Sequence, residues 1–321
     1  MLLAERNGMA KKSSHVEPVV ALCFTAEAAN STLRLNKSNS ALGGAGLETS
    51  YDGITWSDYH WNNTTGDTLT LDNVGDTVYM RAKTERTTFS TSSSRYFNFV
   101  MAGRITASGT IMALLKVDGS RTNAPTYCFY KLFYNCTSLT QAPLLPATTL
   151  ADSCYANMFQ GCTSLTKAPA LPAETLTYNC YGNMFNGCTS LTQATTLPAT
   201  TLANSCYTNM FQGCTSLTKA PALPAETLVG YCYYSMFRGC TSLTQAPTLP
   251  ATTLVDSCYG NMFRDCSNLT SMDVSFESWS TSYTTSWLYG VSASGTFICN
   301  STLPDQRGAA YIPNGWTKVD K

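Results

Sequence analysis

The hydrophobic pattern of the chain changes character once. Between residues 17 and 118, short runs alternate apolar and polar positions: "VVALCFTA", "STLRLNK", "DTLTLDNV" and "DTVYMRAK". Alternation with period two predicts half-buried β-strands. "YDGITW" sets an Asp-Gly pair between strand-like residues, which predicts a tight turn. A stretch of about 100 such residues predicts an antiparallel β-sandwich. From Cys128 onward the pattern is periodic over 26 residues, with copies opening at Cys128, Cys154, Cys180, Cys206, Cys232 and Cys258. A fixed period of this length predicts a solenoid in which each coil buries its face against the next.

One copy reads "CYANMFQGCTSLTKAPALPAETLTYN". Cys154 and Met158 stand four apart with Phe159 beside them, which predicts a helix of about two turns. Ser153, Ser205 and Ser257 precede the leading cysteine and suit a helix N-cap. Gly161 suits the positive φ that ends a helix. "LTKAPALP" predicts a short strand, because residues before proline avoid the α region. Pro143, Pro169, Pro221 and Pro247 lack a ladder donor, so strand pairing there must be short or interrupted. The expected fold class is α+β. A flexible segment at 1–16 is followed by the sandwich at 17–118, six coils of strand plus helix at 119–275, and a capping segment at 276–321.

Copies alternate in detail. One exposed-type position reads Gln141, Lys167, Gln193, Lys219, Gln245, and another reads Thr148, Glu174, Thr200, Glu226, Thr252. The duplication unit is therefore two coils. Either the alternation keeps like charges from stacking on one another, or it records duplication alone. Variation also concentrates at 144/170/196/222/248, at Gln160, Asn186, Gln212 and Arg238, and at the triplet before each leading cysteine. These are the candidate solvent-facing positions. The column Gln141, Lys167, Gln193, Lys219 and Gln245 is the first candidate for ligand contact; an ordinary solvated face is the competing reading.

Composition narrows the function. Formal net charge is zero and only 12% of the 321 residues are charged. No basic stripe supports nucleic-acid binding. No apolar run approaches a membrane span, so no membrane insertion is expected. The opening "MLLAERNGMAKKSSHVEP" has no h-region and does not read as a signal peptide. Met9 is a plausible start, with residues 1–8 an upstream extension. A Ser-, Thr-, Asn- and Gln-rich surface suits display outside a cell or on a particle.

Fourteen cysteines pose the main chemical question. Twelve form two columns: Cys128, Cys154, Cys180, Cys206, Cys232, Cys258 and Cys136, Cys162, Cys188, Cys214, Cys240, Cys266. Their C-x7-C spacing and the absence of histidine from the repeats argue against zinc. Side chains stacked in register hold Cβ atoms near the coil spacing, wider than a disulfide wants. The favoured reading is two inward columns of small hydrophobic side chains with unreactive neutral thiols.

No catalytic set stands out. His15 and His60 are the two histidines, and neither lies near a marked nucleophile. Glu174 and Glu226 recur on alternate coils, which repetition explains better than catalysis. Asp67, Asp72 and Asp76 could touch calcium, but turn chemistry accounts for them equally well. No P-loop or dinucleotide fingerprint is present. No cofactor, no metal and no enzymatic activity are expected.

The motif Cys154-Tyr155, Met158-Phe159, Cys162, Leu165 and Leu171-Pro172, repeated at 26-residue offsets over about 128–275, resembles the BspA-type leucine-rich repeat. The coil is longer than the commonest repeat of that family, and cysteine replaces an aliphatic residue at the leading position. "GTFICN…YIPNGWTKVD" resembles the segment that closes such arrays, with Trp279, Trp287 and Trp316 available to cover the last coil. By its overall pattern and by "GTIMALL", the region 17–117 is similar to the N-terminal domain preceding these repeats in surface proteins of gut Bacteroidetes and in virion proteins of their phages. The resemblance implies recognition of a protein or glycan on a cell surface. The expected setting is a phage particle, with other virion subunits as further partners; a bacterial surface adhesin is the alternative and a carbohydrate-active enzyme the least favoured. A homo-oligomer is compatible with the sequence. The cysteine reading predicts that thiol titration of denatured, unreduced protein finds nearly all fourteen cysteines free; finding two or three would mean bridged columns.

Overall fold

The computed structural model describes residues 20–44 and 46–321. The segment expected to be flexible, 1–16, lies outside the described residues. The alternating runs form β1 (Leu22–Ala26), β2 (Ser31–Lys37), β3 (Leu47–Ser50), β4 (Ser57–Asp58), β5 (Trp61–Asn62), β6 (Thr65–Gly66), β7 (Leu69–Leu71), β8 (Thr77–Ala82), β9 (Phe97–Ala102) and β10 (Ile105–Gly109). One antiparallel sheet runs β10-β1-β8-β3-β4, a second runs β7-β2-β9, and β5 and β6 pair as a small hairpin. Leu22, Phe24, Val78, Met80, Ile105 and Ala107 of the first sheet share a core with Leu33, Leu35, Phe97 and Phe99 of the second. Asp52-Gly53 forms the turn between β3 and β4, where the Asp52 carboxylate accepts from the N–H groups of Ile54 and Thr55. Buried Tyr59 ties the hairpin down: its hydroxyl accepts from Leu35 N–H at 2.7 Å and donates to the Asp67 carbonyl at 2.8 Å.

The solenoid departs from expectation at its centre. The segments read as α-helices are ribbons of overlapping turns, and the only helix among the described residues is one 3₁₀ turn at Ile111–Leu114. In the second coil, Cys154, Ala156, Met158, Gln160 and Cys162 donate backbone N–H groups three residues back, to Ala151, Ser153, Tyr155, Asn157 and Phe159. The intervening N–H groups of Ser153, Tyr155, Asn157, Phe159 and Gly161 leave the coil. They bond Tyr178, Cys180, Gly182, Met184 and Asn186 of the next coil at 2.8–3.1 Å. An α-helix would have turned all these donors inward.

The device that permits this is a left-handed residue at every fourth position. Ser153, Asn157 and Gly161 have φ of 55°, 58° and 75°, and the equivalent triplet in the other coils behaves alike. Asn and Gly tolerate this conformation best, and Asn157, Asn183, Asn209 and Asn261 hold the middle place. The serines proposed as N-caps are therefore left-handed turn residues: Ser153, Ser205 and Ser257 lack the extended backbone of a cap. A four-residue recurrence of small polar residues imitates helical periodicity in the sequence.

Each ribbon carries two aromatic rings into the core. Phe133, Phe159, Phe185, Phe211, Phe237 and Phe263 stack with centroids 5.3–5.7 Å apart. Tyr155, Tyr181, Tyr207, Tyr233 and Tyr259 form a second ladder at 5.8–6.0 Å. The proline-bearing segments opposite are extended but weakly paired. β12 (Leu139–Gln141) and β13 (Thr149–Leu150) occur in the first coil, β11 (Asn123–Ala124) precedes it and pairs in parallel with β13, and isolated bridges such as Lys167–Gln193 follow. The interruption agrees with proline's missing N–H.

Both ends of the stack are covered. At the start, β12 pairs in parallel with β10, and Phe99 N–H bonds Leu132 O as a preceding coil would. Phe24, Phe99 and Phe133 continue the phenylalanine ladder into the antiparallel sheets. At the other end, the tail adds a seventh coil of unrelated sequence: Tyr259, Asn261, Phe263 and Asp265 donate to Tyr283, Thr285, Trp287 and Tyr289. β14 (Ser271–Asp273), β15 (Gly295–Cys299) and β16 (Trp316–Asp320) close it as a parallel sheet. Trp287 and Trp316 are buried and Trp279 is partly so. Lys318, Asp320 and Lys321 place charges on the outer strand, which discourages further edge pairing.

Replacing Asn209 tests the left-handed position. Asn209→Ala should destabilise the protein by about 1–2 kcal/mol, and Asn209→Gly, which has no Cβ penalty, by less. Thermal unfolding of the two variants checks the order.

Candidate binding face

The extended segment of each coil alternates inward and outward side chains. Leu165 and Leu171 are buried, whereas Thr166, Lys167 and Ala170 are exposed. Repetition at 26 residues therefore aligns Gln141, Lys167, Gln193, Lys219 and Gln245 in one exposed column. The bridges Lys167–Gln193 and Gln245–Ser271 set its register, and Gln141 pairs with Thr106 of β10. Three open clefts of about 770, 820 and 760 Å³ lie along this column. Neighbouring clefts share residues: Ala194–Thr196 line the first two, and Thr218, Lys219, Ala220 and Ala222 the second and third. They form one shallow trough floored by alanine and proline and edged by threonine, glutamine and lysine.

Glu27, Arg104 and Thr106 from the antiparallel sheets enter the trough at its N-terminal end. They could not be found from the repeat pattern, because only the pairing of β10 with β12 brings them there. Arg104 contacts Glu27 at 3.4 Å, and both are well exposed. Among the described residues, Lys167 and Lys219 have no ion pair.

The variable positions divide into two sets. Leu144, Ala170, Thr196, Ala222 and Thr248 are exposed along the trough. Gln160, Asn186, Gln212 and Arg238 are half-buried. This second set takes part in side-chain contacts on the turn ribbon: Asn157 Nδ2 donates to Gln160 Oε1 at 2.6 Å and Asn186 Nδ2 to Gln212 Oε1 at 3.3 Å. Asn209 Nδ2 adds a bond to Asn183 Oδ1 at 3.1 Å. They face the neighbouring coil as much as solvent. The triplets before the cysteines are mixed, with Asp152, Tyr178 and Asp256 exposed and Ser153 buried.

Cys128, Cys154, Cys180, Cys206, Cys232 and Cys258 are buried, as are Cys136, Cys162, Cys188, Cys214, Cys240 and Cys266, and all are free thiols. The second column does more than fill space. Cys188 Sγ donates to Phe159 O at 3.1 Å, and Cys162, Cys214, Cys240 and Cys266 repeat this toward the preceding coil at 3.0–3.2 Å. Phe159 O also accepts Cys162 N–H, so each such carbonyl uses both lone pairs. The motif signals cysteine at this place, but only the stacking identifies the acceptor. Burial pushes the Cys180, Cys188, Cys232 and Cys266 thiols up to about 12. None is a ready nucleophile at neutral pH.

The remaining candidate groups stand apart. Glu174 and Glu226 are exposed and stand two coils from each other. Asp67 accepts from His60 N–H across the base of the β5–β6 hairpin, and Asp76 from Asn73 N–H in a turn. Among the described residues no cluster of three or more His, Cys, Asp or Glu could hold a metal, and no helix is long and apolar enough to cross a membrane. His15 lies outside the described residues.

Stacked coils, a repeating buried leucine and one extended segment per coil define the class as a leucine-rich-repeat solenoid. Its sequence matches the BspA-type leucine-rich repeat region in six copies, over residues 120–234 and 158–292. The chain belongs to that family. Searches of curated proteins and of solved structures found no match.

The buried thiols and tyrosines predict alkaline lability. In the unfolded chain thiols ionise near pH 8.5, whereas burial holds Cys180, Cys188, Cys232 and Cys266 neutral up to about 12 and raises Tyr155 and Tyr181 well above their ordinary range. Their contribution is full below the unfolded values. It is lost as pH rises toward the folded ones, because the unfolded state releases protons first. The urea midpoint should be level from neutrality to mildly alkaline pH and fall steadily above it.

Proposed function

We propose that the protein is a non-enzymatic recognition module that contacts a cell-surface protein or glycan through the trough holding Gln141, Lys167, Gln193, Lys219 and Gln245. The observation that carries this reading is the continuity of the trough across coils, with exposed side chains free to meet a ligand. In this reading the N-terminal sheets form a β-sandwich that serves as the spacer or anchor. The burial and repetition of the thiols and the dispersal of the carboxylates weigh against catalysis.

Family membership supports adhesion, and the charge-poor surface supports display on a phage particle beside other virion subunits. The trough itself is tested with labelled protein on target cells. Ala222→Trp, which fills a cleft from an exposed position, should reduce binding at least as far as detection allows, whereas Asp256→Trp on the turn ribbon should not. Equal binding by both would remove the trough from the reading. Mass spectrometry of purified virions against washed cell envelopes should place the protein in virions; its presence in envelopes alone would make it a bacterial adhesin.

A further inference from the structure

The cations along the trough follow a two-coil rhythm. Arg104 enters beside Thr106, which is level with Gln141 in the parallel pairing. Lys167 stands on the second coil and Lys219 on the fourth, with Gln141, Gln193 and Gln245 on the coils between. Glu174 and Glu226 share coils with the two lysines but lie seven residues further along each. No ion pair joins them among the described residues, so both ammonium groups stand unneutralised beside the clefts. Successive coils are separated by about 5.5 Å, as the rings of Phe159, Phe185 and Phe211 show. On the extended side the parallel bridge Lys167–Gln193 sets the interstrand spacing at about 4.8 Å, so lysines two coils apart recur at about 10 Å along the stack.

This rhythm selects a ligand class. The trough is open at its sides, runs parallel to the coil axis and repeats, so it fits a linear polymer better than a compact molecule. A spacing of two coils is about the length of a disaccharide. Between the cations, glutamine carboxamides and threonine hydroxyls can donate to and accept from sugar hydroxyls. The alanine and proline floor offers a flat apolar surface without competing charge.

We infer that the trough binds a linear acidic polysaccharide carrying one carboxylate per disaccharide, laid along the solenoid axis with successive carboxylates at Lys167 and Lys219. This rests on the recognition role of the trough proposed above and adds the chemistry and period of its ligand. Charge complementarity supplies the register, and the uncharged coils between supply hydrogen bonds to neutral sugars.

The test uses the full chain immobilised against three probes: hyaluronan fragments, with a carboxylate on every second sugar, neutral dextran, and poly-glutamate. Hyaluronan should bind and dextran should not, with affinity falling as salt is raised. The double variant Lys167→Gln/Lys219→Gln should lose about tenfold in affinity, the scale of two exposed charge contacts. It carries the residue that alternate coils already have, so it keeps the fold. The decisive variant is Gln193→Lys/Lys219→Gln, which keeps the charge but moves the two lysines onto adjacent coils; it should lose affinity to a similar degree. Equal binding by this variant and the wild type would reduce the effect to general charge attraction and overturn the inference. Tighter lysine-dependent binding of poly-glutamate would also overturn it, in favour of an acidic protein. Failure to bind hyaluronan, with Ala222→Trp still blocking cell binding, would overturn the polysaccharide assignment while leaving the recognition face standing.

Discussion

The structure depends on how its backbone donors are shared. Along each turn ribbon, one N–H closes a turn within the coil and the next reaches the neighbouring coil. The carbonyls alternate in the same way, and the odd and even series never compete. Buried backbone groups must be paired, and here the pairing is completed only when another coil lies alongside. A single coil would leave the five outward donors of its ribbon without partners, so the unit of stability is the stack and not the repeat.

That constraint explains the rest of the sequence of each coil. Sending alternate donors outward requires a left-handed residue every fourth position, which accounts for the Asn and Gly that recur there, with Ser, Tyr, Lys and Asp filling the remaining places. Holding the coils at a constant separation requires side chains that stack on copies of themselves, which accounts for the phenylalanine and tyrosine ladders. The cysteine of "GCTSLT" is small enough to be fully buried and still supplies a donor to the coil before it. An alanine there would fill less space and leave the second lone pair of the carbonyl without that contact.

Ending such a stack is as demanding as extending it. The antiparallel sheets present Phe99, β9 and β10 to the first coil in place of a preceding repeat. The tail supplies the alternating acceptors with none of the repeat's motif, placing Trp287 where the coils have methionine and stacking its ring on Tyr259. The trough inherits its form from both facts. Its regular part comes from the coils, and its N-terminal end from residues of a different sheet that happen to be in register.

Much of this was legible in the residues. The 26-residue period, the inward leucines and cysteines, the interrupted proline segments and the exposed column at Gln141 and Lys167 all follow from local pattern, because burial and proline geometry act on single residues. The helix was misread for a physical reason: Cys154, Met158 and Phe159 have helical spacing, and nothing in one coil shows that half its donors point elsewhere. The acceptors of the thiols, the entry of Arg104 into the trough and the seventh coil built from 276–321 were equally invisible. Sequence by itself determined the period and which side chains face inward. The tertiary structure decided the backbone conformation and the joining of the trough, because both rest on bonds between residues that only stacking brings together.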